Sequence, residues 1–395
     1  MAEIFLGDLA MSWKRVEPME ERCRFVLLAC DPQANISELC REFGISRRIG
    51  YKWLGRFHQE GLHGLEDRSR RPLRCPRETA GEVVCEIVSI RQAHPRWGGV
   101  TIREILKRRN NCQVIPSSRT IERILSRCGM VETRKRGKRR KYSPEKVVTP
   151  KGPNDVWTVD FKGWWFTKDG NRCLPLTVRD EYSRYILDLA ALAKGNTKAV
   201  RERFERCFER YGLPKYIRSD NGSPFCAYLG LKGLSRLSVW WLNHGVFPNR
   251  IPPGSPQYNG GHERMHRDIK AELQRTPAKN LRLQQDVFDK WRKEFNVQRP
   301  HRALNMATPS ECYDVSARKY CRTIVPYDYG DQMELRKVCC RGNIFWRGQR
   351  RFVSSALIKE KIGVEILEDR MLSLWFRDFH LGTTDIEFAH PLGGG

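Results

Sequence analysis

Val156-Trp157-Thr158-Val159-Asp160-Phe161-Lys162 is a run of β-branched and aromatic side chains that favours a strand, interrupted by one carboxylate. A buried lone carboxylate is costly unless it is paired or bound to a metal, so Asp160 either meets water at a sheet edge or faces a cation. Two later acids bear on that choice. Asp220 ends a second strand-like run, Tyr216–Ser219, and is followed by the turn formers Asn221-Gly222-Ser223-Pro224. Glu263 opens a helix on which Met265, Ile269 and Leu273 recur every four residues as a core stripe, leaving Glu263, Arg267 and Lys270 on the polar face. Acids from a strand, a strand end and a helix, brought together, supply the oxygen donors that hard cations want. Two-metal phosphoryl transfer needs that arrangement.

Around these acids the pattern predicts a catalytic core over 149–325. Strands at 173–178 and 184–190 continue 156–162 as an antiparallel meander, with Asp180 read as a turn residue and not a ligand. A helix from Thr197 to Tyr211 carries Val200, Phe204, Cys207 and Phe208 and stops at Gly212-Leu213-Pro214. A later helix, 282–297, carries Val287, Trp291 and Phe295 as its core stripe. From 326 to 395, short strand-like runs alternate with glycine turns and read as a small β-barrel; its Arg341, Arg347, Arg350 and Arg351 suit either a DNA or multimer contact or a structural cap.

Upstream, residues 1–62 read as a trihelical unit. Asn35 with Glu38 forms a capping-box pattern, and Ser46 caps a third helix with Ile49, Trp53, Leu54 and Phe57 on its apolar face. Arg47, Arg48, Tyr51 and Lys52 point outward, either as base and phosphate contacts of a recognition helix or as the solvated face of a plain bundle. Residues 63–78 read as a linker rich in glycine, proline and charge. A second unit at 79–132 bears the stripe Val83, Val84, Ile87, Val88, then Ile102, Ile105 and Leu106. Its last helix is capped by Ser118, with Ile121, Ile124, Leu125 and Cys128 inward and Arg119 and Arg123 outward. The block 133–148 holds Arg134, Lys135, Arg136, Lys138, Arg139 and Arg140. It repels itself, stays extended and offers a tether to phosphates.

Charge supports polyanion binding. The 395 residues hold 72 Lys and Arg against 46 Asp and Glu, a net +26, and about half of the excess falls within the first 150 residues. Fourteen cysteines include no CxxC spacing, which disfavours zinc fingers and suits a reducing compartment. No run has the length of a membrane span or the form of a signal peptide, so a cytoplasmic, nucleoid-associated protein is expected.

The ordered set VWTVDFKG (156–163), SDNGSPF (219–225), SPQYNGGHERMHRDIK (255–270) and NVQRPHRAL (296–304) resembles the integrase-core transposases of the DDE type, which are related to retroviral integrases. Among bacterial insertion sequences the resemblance is to the "four-eighty-one" family, with helix-turn-helix modules ahead of the core. It implies a multidomain α+β chain: tandem helix-turn-helix domains, the first homeodomain-like, then a ribonuclease-H-like α/β core with a mixed sheet and an SH3-like C-terminal barrel. In that core the first strand and the strand ending at Asp220 lie side by side.

The resemblance makes Asp160, Asp220 and Glu263 the catalytic metal ligands for two Mg²⁺ ions, with Mn²⁺ able to substitute. Arg267 and Lys270 would hold phosphate, and His262 or His266 could assist. The 42 residues between Asp220 and Glu263 exceed the family's spacing of roughly 35, although no other acid lies between them. The implied function is binding of double-stranded DNA at terminal inverted repeats, metal-dependent strand cleavage and strand transfer into target DNA, by a homodimer or higher multimer. The alternatives are a domesticated, catalytically inactive DNA-binding regulator and a ribonuclease H or junction nuclease sharing the core.

Overall fold

Three helices, α1 (Pro18–Ala29), α2 (Ile36–Glu42) and α3 (Arg47–Glu60), build the first of two compact units, which ends at Glu78, around Phe25, Val26, Cys40 and Trp53. The computed structural model describes residues 17–68, 78–109, 114–131, 148–227, 230–252, 258, 260–367 and 371–385. Ser46 caps α3 by accepting from Ile49 N, whereas Asn35 caps α2 through Ser37 N at 3.1 Å instead of a reciprocal box with Glu38. Of the expected apolar face of α3, Trp53 is buried and Leu54 and Phe57 pack against the core, but Ile49 is 42% exposed and Gly50 takes the inward place. Close approach explains this, because a Cβ on Gly50 would stand 2.5 Å from Cys40 Sγ. Nor does the linker begin at residue 63. Gly61–Leu65 forms a 3₁₀ turn that buries Leu65 in this core, where its carbonyl accepts from Arg22 at 2.8 Å.

The second unit opens with α4 (Gly81–Ala93), α5 (Gly99–Arg109) and α6 (Ser118–Arg127), packed through Val83, Ile87, Ile90, Ile102, Ile121 and Leu125. Ser117, not Ser118, caps α6, accepting from Thr120 N at 3.1 Å. Cys128 is exposed just past the helix end.

Next come β1 (Val156–Phe161), β2 (Trp165–Phe166), β3 (Arg172–Asp180), β4 (Ile186–Leu192), α7 (Thr197–Tyr211), β5 (Tyr216–Ser219), α8 (Arg236–Asn243), β6 (Phe247–Arg250), α9 (Gly260–Ile269) and α10 (Leu281–Val297). The sheet is mixed. β1 lies centrally, antiparallel to β3 and parallel to β5; β4 flanks β3, β6 flanks β5, and β2 pairs with the start of β3. α7 and α8 cover the face carrying Trp157 and Val159, and α9 and α10 pack over β4 on the other through Met265, Ile269, Phe288 and Trp291. Along α10 the buried stripe is Gln284, Phe288, Trp291 and Phe295, with Val287 exposed, since 284, 288, 291 and 295 share one helical face and 287 lies about 100° from 288. Asp180 acts as a turn residue, accepting from Asn154 N, Ser183 N and Ser183 Oγ at 2.6–2.8 Å.

The C-terminal strands are β7 (Glu334–Lys337), β8 (Asn343–Trp346), β9 (Gln349–Phe352), β10 (Lys361–Ile366), β11 (Met371–Phe376) and β12 (Phe379–Asp385). They correct the expectation of a closed barrel. Among the described residues they form an open sheet, β12-β11-β10-β7, and a separate β8-β9 hairpin. The apolar faces of both are closed by the core instead: Leu234, Val239 and Leu242, on and just before α8, share one hydrophobic cluster with Ile344, Trp346, Val364 and Leu374.

Candidate active site

Side chains alternate along a strand, so Thr158 and Asp160 lie on the face opposite Trp157 and Val159, toward α9. The pairing Thr158↔Arg179 and Asp160↔Thr177 carries this polar patch onto β3. On the other side, the parallel register Val156↔Tyr216 to Thr158↔Arg218, continued by two residues, sets Asp160 beside Asp220. Asp220 is exposed just past β5, where its Oδ1 accepts from Gly222 N at 3.2 Å. Glu263 is exposed on the first turn of α9. The three acids therefore gather at one edge of the core. Burial pushes the Asp160 carboxyl up to about 7, the neighbouring charge of Asp220 adds to the shift, and Glu263 contributes further.

A hydrogen-bonded network fixes α9 on this patch. His262 is fully buried, with Nε2 2.7 Å from Thr158 Oγ1 and Nδ1 3.0 Å from Thr177 Oγ1. His266 Nε2 lies 3.0 Å from the same Thr177 hydroxyl, and its Nδ1 faces Asp160 Oδ2 at 3.8 Å. Burial holds both rings below their ordinary pKa, His266 at about 3, so both are neutral. Behind them Arg179 is buried and paired with Glu181. Gly261 leaves it room, since a Cβ there would stand 1.8 Å from the guanidinium.

Further along α9, Asp268 is buried between Arg96 (2.6 Å), from the turn between α4 and α5, and Arg299 (2.7 Å), just beyond α10. This clamp ties the second trihelical unit to the core. Arg267 and Lys270 are exposed and, with Arg96 and Arg275, line an open basic groove. Lys162 at the end of β1 adds to this charge; burial and the nearby Lys270 both lower its pKa.

The other site residues from the sequence fall in two places. Arg47, Arg48, Tyr51 and Lys52 are exposed along the start of α3, and Arg119 and Arg123 along α6. Arg134, Lys135, Arg136, Lys138, Arg139 and Arg140 lie outside the described residues. Sequence reading missed Arg96, Thr158, Thr177 and Arg179. For Thr158, Thr177 and Arg179, polar residues at alternating positions of otherwise apolar strands were the signal; Arg96, in a turn, offered none.

Integrase core domain families match residues 150–256 and 244–309, spanning all three acids. A helix-turn-helix domain matches residues 21–72, a homeodomain-like domain 49–125, and the C-terminal domain of IS481 family transposases 333–390. The chain is an integrase-core transposase of the IS481 type.

Relatives of this transposase include the 31.7 kDa protein of insertion element IS407 of Burkholderia multivorans, 26% identical over 71% of this chain and 91% of the relative. The 39.2 kDa protein of IS476 of Xanthomonas euvesicatoria is 25% identical over 68% of this chain and 75% of its own length. The Pol polyprotein of feline endogenous virus ECE1 is 31% identical over 40% of this chain and 14% of the polyprotein. Among solved structures, the HTLV-2 integrase catalytic core in complex with magnesium (trimeric form) matches 42% of the transposase and 100% of that chain, at 13% identity and a TM-score of 0.31. A simian T-cell lymphotropic virus intasome chain matches 74% and 97%, at 10% identity and a TM-score of 0.36. Among the described residues of the transposase, no helix is long and apolar enough to cross a membrane.

Proposed function

We propose that the chain binds the terminal inverted repeats of an insertion sequence as a dimer or higher multimer, cuts the DNA strands there and transfers the freed 3′ ends into target DNA. The observation that carries this reading is the gathering of Asp160, Asp220 and Glu263 at one edge of the sheet, where burial first, and then the charges of Asp220 and Glu263, push the Asp160 carboxyl up to about 7. Such a donor set fits hard divalent cations, two per site, with Mg²⁺ favoured wherever the ligation is all-oxygen and Mn²⁺ able to substitute. When bound, these ions supply Lewis acidity for activating water or a 3′-hydroxyl and for neutralising the leaving oxygen.

The rest of the work falls to the chain's own residues. The Thr158–Thr177–His262 network holds α9, and with it Glu263, against β1. Arg267, Lys270 and Lys162 neutralise the DNA phosphates that approach the acids. Arg47, Arg48, Tyr51 and Lys52 on α3 and Arg119 and Arg123 on α6 contact the repeats, assisted by the basic tether Arg134–Lys141. In this reading the first trihelical unit, carried on to Leu65, and 79–132 are the recognition domains, 149–325 the catalytic core, and 326–395 an accessory domain.

The test is cleavage and strand transfer on labelled DNA carrying the flanking repeats, with Mg²⁺, for wild type, Asp160→Asn and Glu263→Gln. Products from wild type alone support the reading. Full activity of Glu263→Gln removes Glu263 from the ligand set, and wild type that binds the repeats but never cuts, even with Mn²⁺, replaces the enzyme by a DNA-binding regulator.

A further inference from the structure

We propose that His266 donates its Nδ1 to the cation held at Asp160, making one metal position a mixed nitrogen–oxygen site that takes Mn²⁺, or another divalent ion with affinity for imidazole, in preference to Mg²⁺. The inference rests on the reading that Asp160 is a metal ligand.

Proton accounting around Thr177 carries it. The Thr177 hydroxyl has one hydrogen, and the Asp160 carbonyl 2.9 Å away can only accept, so the hydroxyl donates there. The two ring nitrogens 3.0 Å from the same oxygen, His262 Nδ1 and His266 Nε2, must each bring a hydrogen of their own. Both tautomers are thereby set. His262 Nε2 is then an acceptor, taking the Thr158 hydrogen at 2.7 Å in preference to the Arg179 carbonyl 3.3 Å from the same hydroxyl, which also accepts from Arg179 Nε at 3.4 Å; were the carbonyl served instead, His262 would reverse its tautomer and His266 Nε2 would still donate to Thr177. Asp160, His262 and His266 together have the spacing of a metal cluster, but His262 has spent both nitrogens on the two threonines. His266 has not.

Its Nδ1 carries a lone pair and no proton, and it points at Asp160 Oδ2 from 3.8 Å. That is too far for a hydrogen bond. It is within reach of one shared cation on a bent nitrogen–metal–oxygen path, because zinc–nitrogen and zinc–oxygen bonds together span about 4.0–4.3 Å. Thr177 serves here as an outer partner, orienting the ring through its far nitrogen as metal-bound histidines are usually oriented. Imidazole nitrogen suits Zn²⁺ and the later first-row ions best; Mn²⁺, at the low end of that order, still takes a nitrogen donor more readily than Mg²⁺, which keeps to oxygen and holds its waters.

Pulsed EPR of the full chain with one equivalent of Mn²⁺ is the direct test, since nitrogen-14 modulation reports imidazole at the ion. Wild type is expected to show the modulation and His266→Asn to lose it, with a fall of about tenfold or more in Mn²⁺ affinity by calorimetry and little change for Mg²⁺. His266→Asn keeps an N–H for Thr177, and matching far-UV circular dichroism of His266→Asn and His266→Gln to wild type guards against misfolding. Mn²⁺ that binds wild type without nitrogen modulation, and is lost in Asp160→Asn, overturns the role of His266 while the carboxylate site stands. Mn²⁺ binding that neither Asp160→Asn nor His266→Asn alters overturns the metal reading of Asp160 as well.

Discussion

Replacing Asp160 by asparagine should abolish cutting and at the same time make the metal-free protein more stable, in a pH-dependent way. The folded carboxyl titrates at about 7 against an ordinary 3.8, so between those values the folded state holds a proton that the unfolded state has released. Stability therefore falls as pH rises through this window and stays reduced above it. A shift of about three pKa units corresponds to a ceiling of about 4 kcal/mol. Water reaches 24% of the side chain, and screening of the Asp220 and Glu263 charges brings the expected gain to about 1–3 kcal/mol. The assay is urea unfolding followed by tryptophan fluorescence, with a chelator present, for wild type and Asp160→Asn from pH 4 to pH 8.5. The two should be nearly equal at pH 4 and diverge to the full difference above pH 7, and adding Mn²⁺ at pH 8 should stabilise wild type alone. A difference independent of pH, or a variant less stable than wild type at pH 8, would refute the claim that the site stores unfavourable carboxylate charge.

Other substitutions test the scaffold around the acids. Asp268→Ala strands the largely buried Arg299 and removes the partner of Arg96, at an expected cost of about 3–5 kcal/mol; calorimetric melting within 1 °C of wild type would show that the clamp holds nothing. Gly261→Ala drives a methyl into the buried Arg179 guanidinium, where the added Cβ would be 1.8 Å from nitrogen. It should cost about 1–3 kcal/mol, and because α9 must shift, strand cleavage should fall more than the melting temperature implies. Leu242→Ala, at a position 2% exposed in the cluster shared with the C-terminal sheets, should cost about 2–5 kcal/mol. Limited proteolysis should then release a C-terminal fragment that the wild type retains.

The core elements that carry Asp160, Asp220 and Glu263 were legible in the sequence because the strand repeat of two and the helical repeat of about 3.6 each sort residues onto faces without help from distant parts of the chain. Trp157 and Val159 against Thr158 and Asp160 is such a sorting, and the structure keeps it. What could not be read depends on long-range meetings. Thr177 and His262 are 85 residues apart, and only their contact turns two neighbouring histidines into one structural ring and one with an open nitrogen. On α3 only Ile49 departs from its expected place, because Gly50 admits Cys40 and Phe25 closer than any side chain would allow. The open C-terminal sheet has the same kind of cause, a partner supplied from elsewhere in the chain.

That partner also accounts for the long interval between Asp220 and Glu263. Within it lie the turn Leu231–Gly233 and α8, and every residue from Leu237 to Asn243 is buried. A helix buried on nearly every side needs cover on nearly every side. One side of α8 puts Leu237, Trp240 and Trp241 against α7 and the central sheet, and the other puts Val239 and Leu242 against the C-terminal strands. The turn before α8 joins the same junction, because Leu231 N donates to Val353 O at 2.8 Å just past β9. The residues beyond the usual spacing thus build the seat for the last domain. They do so without displacing α9, since the charge of Glu263 still reaches Asp160.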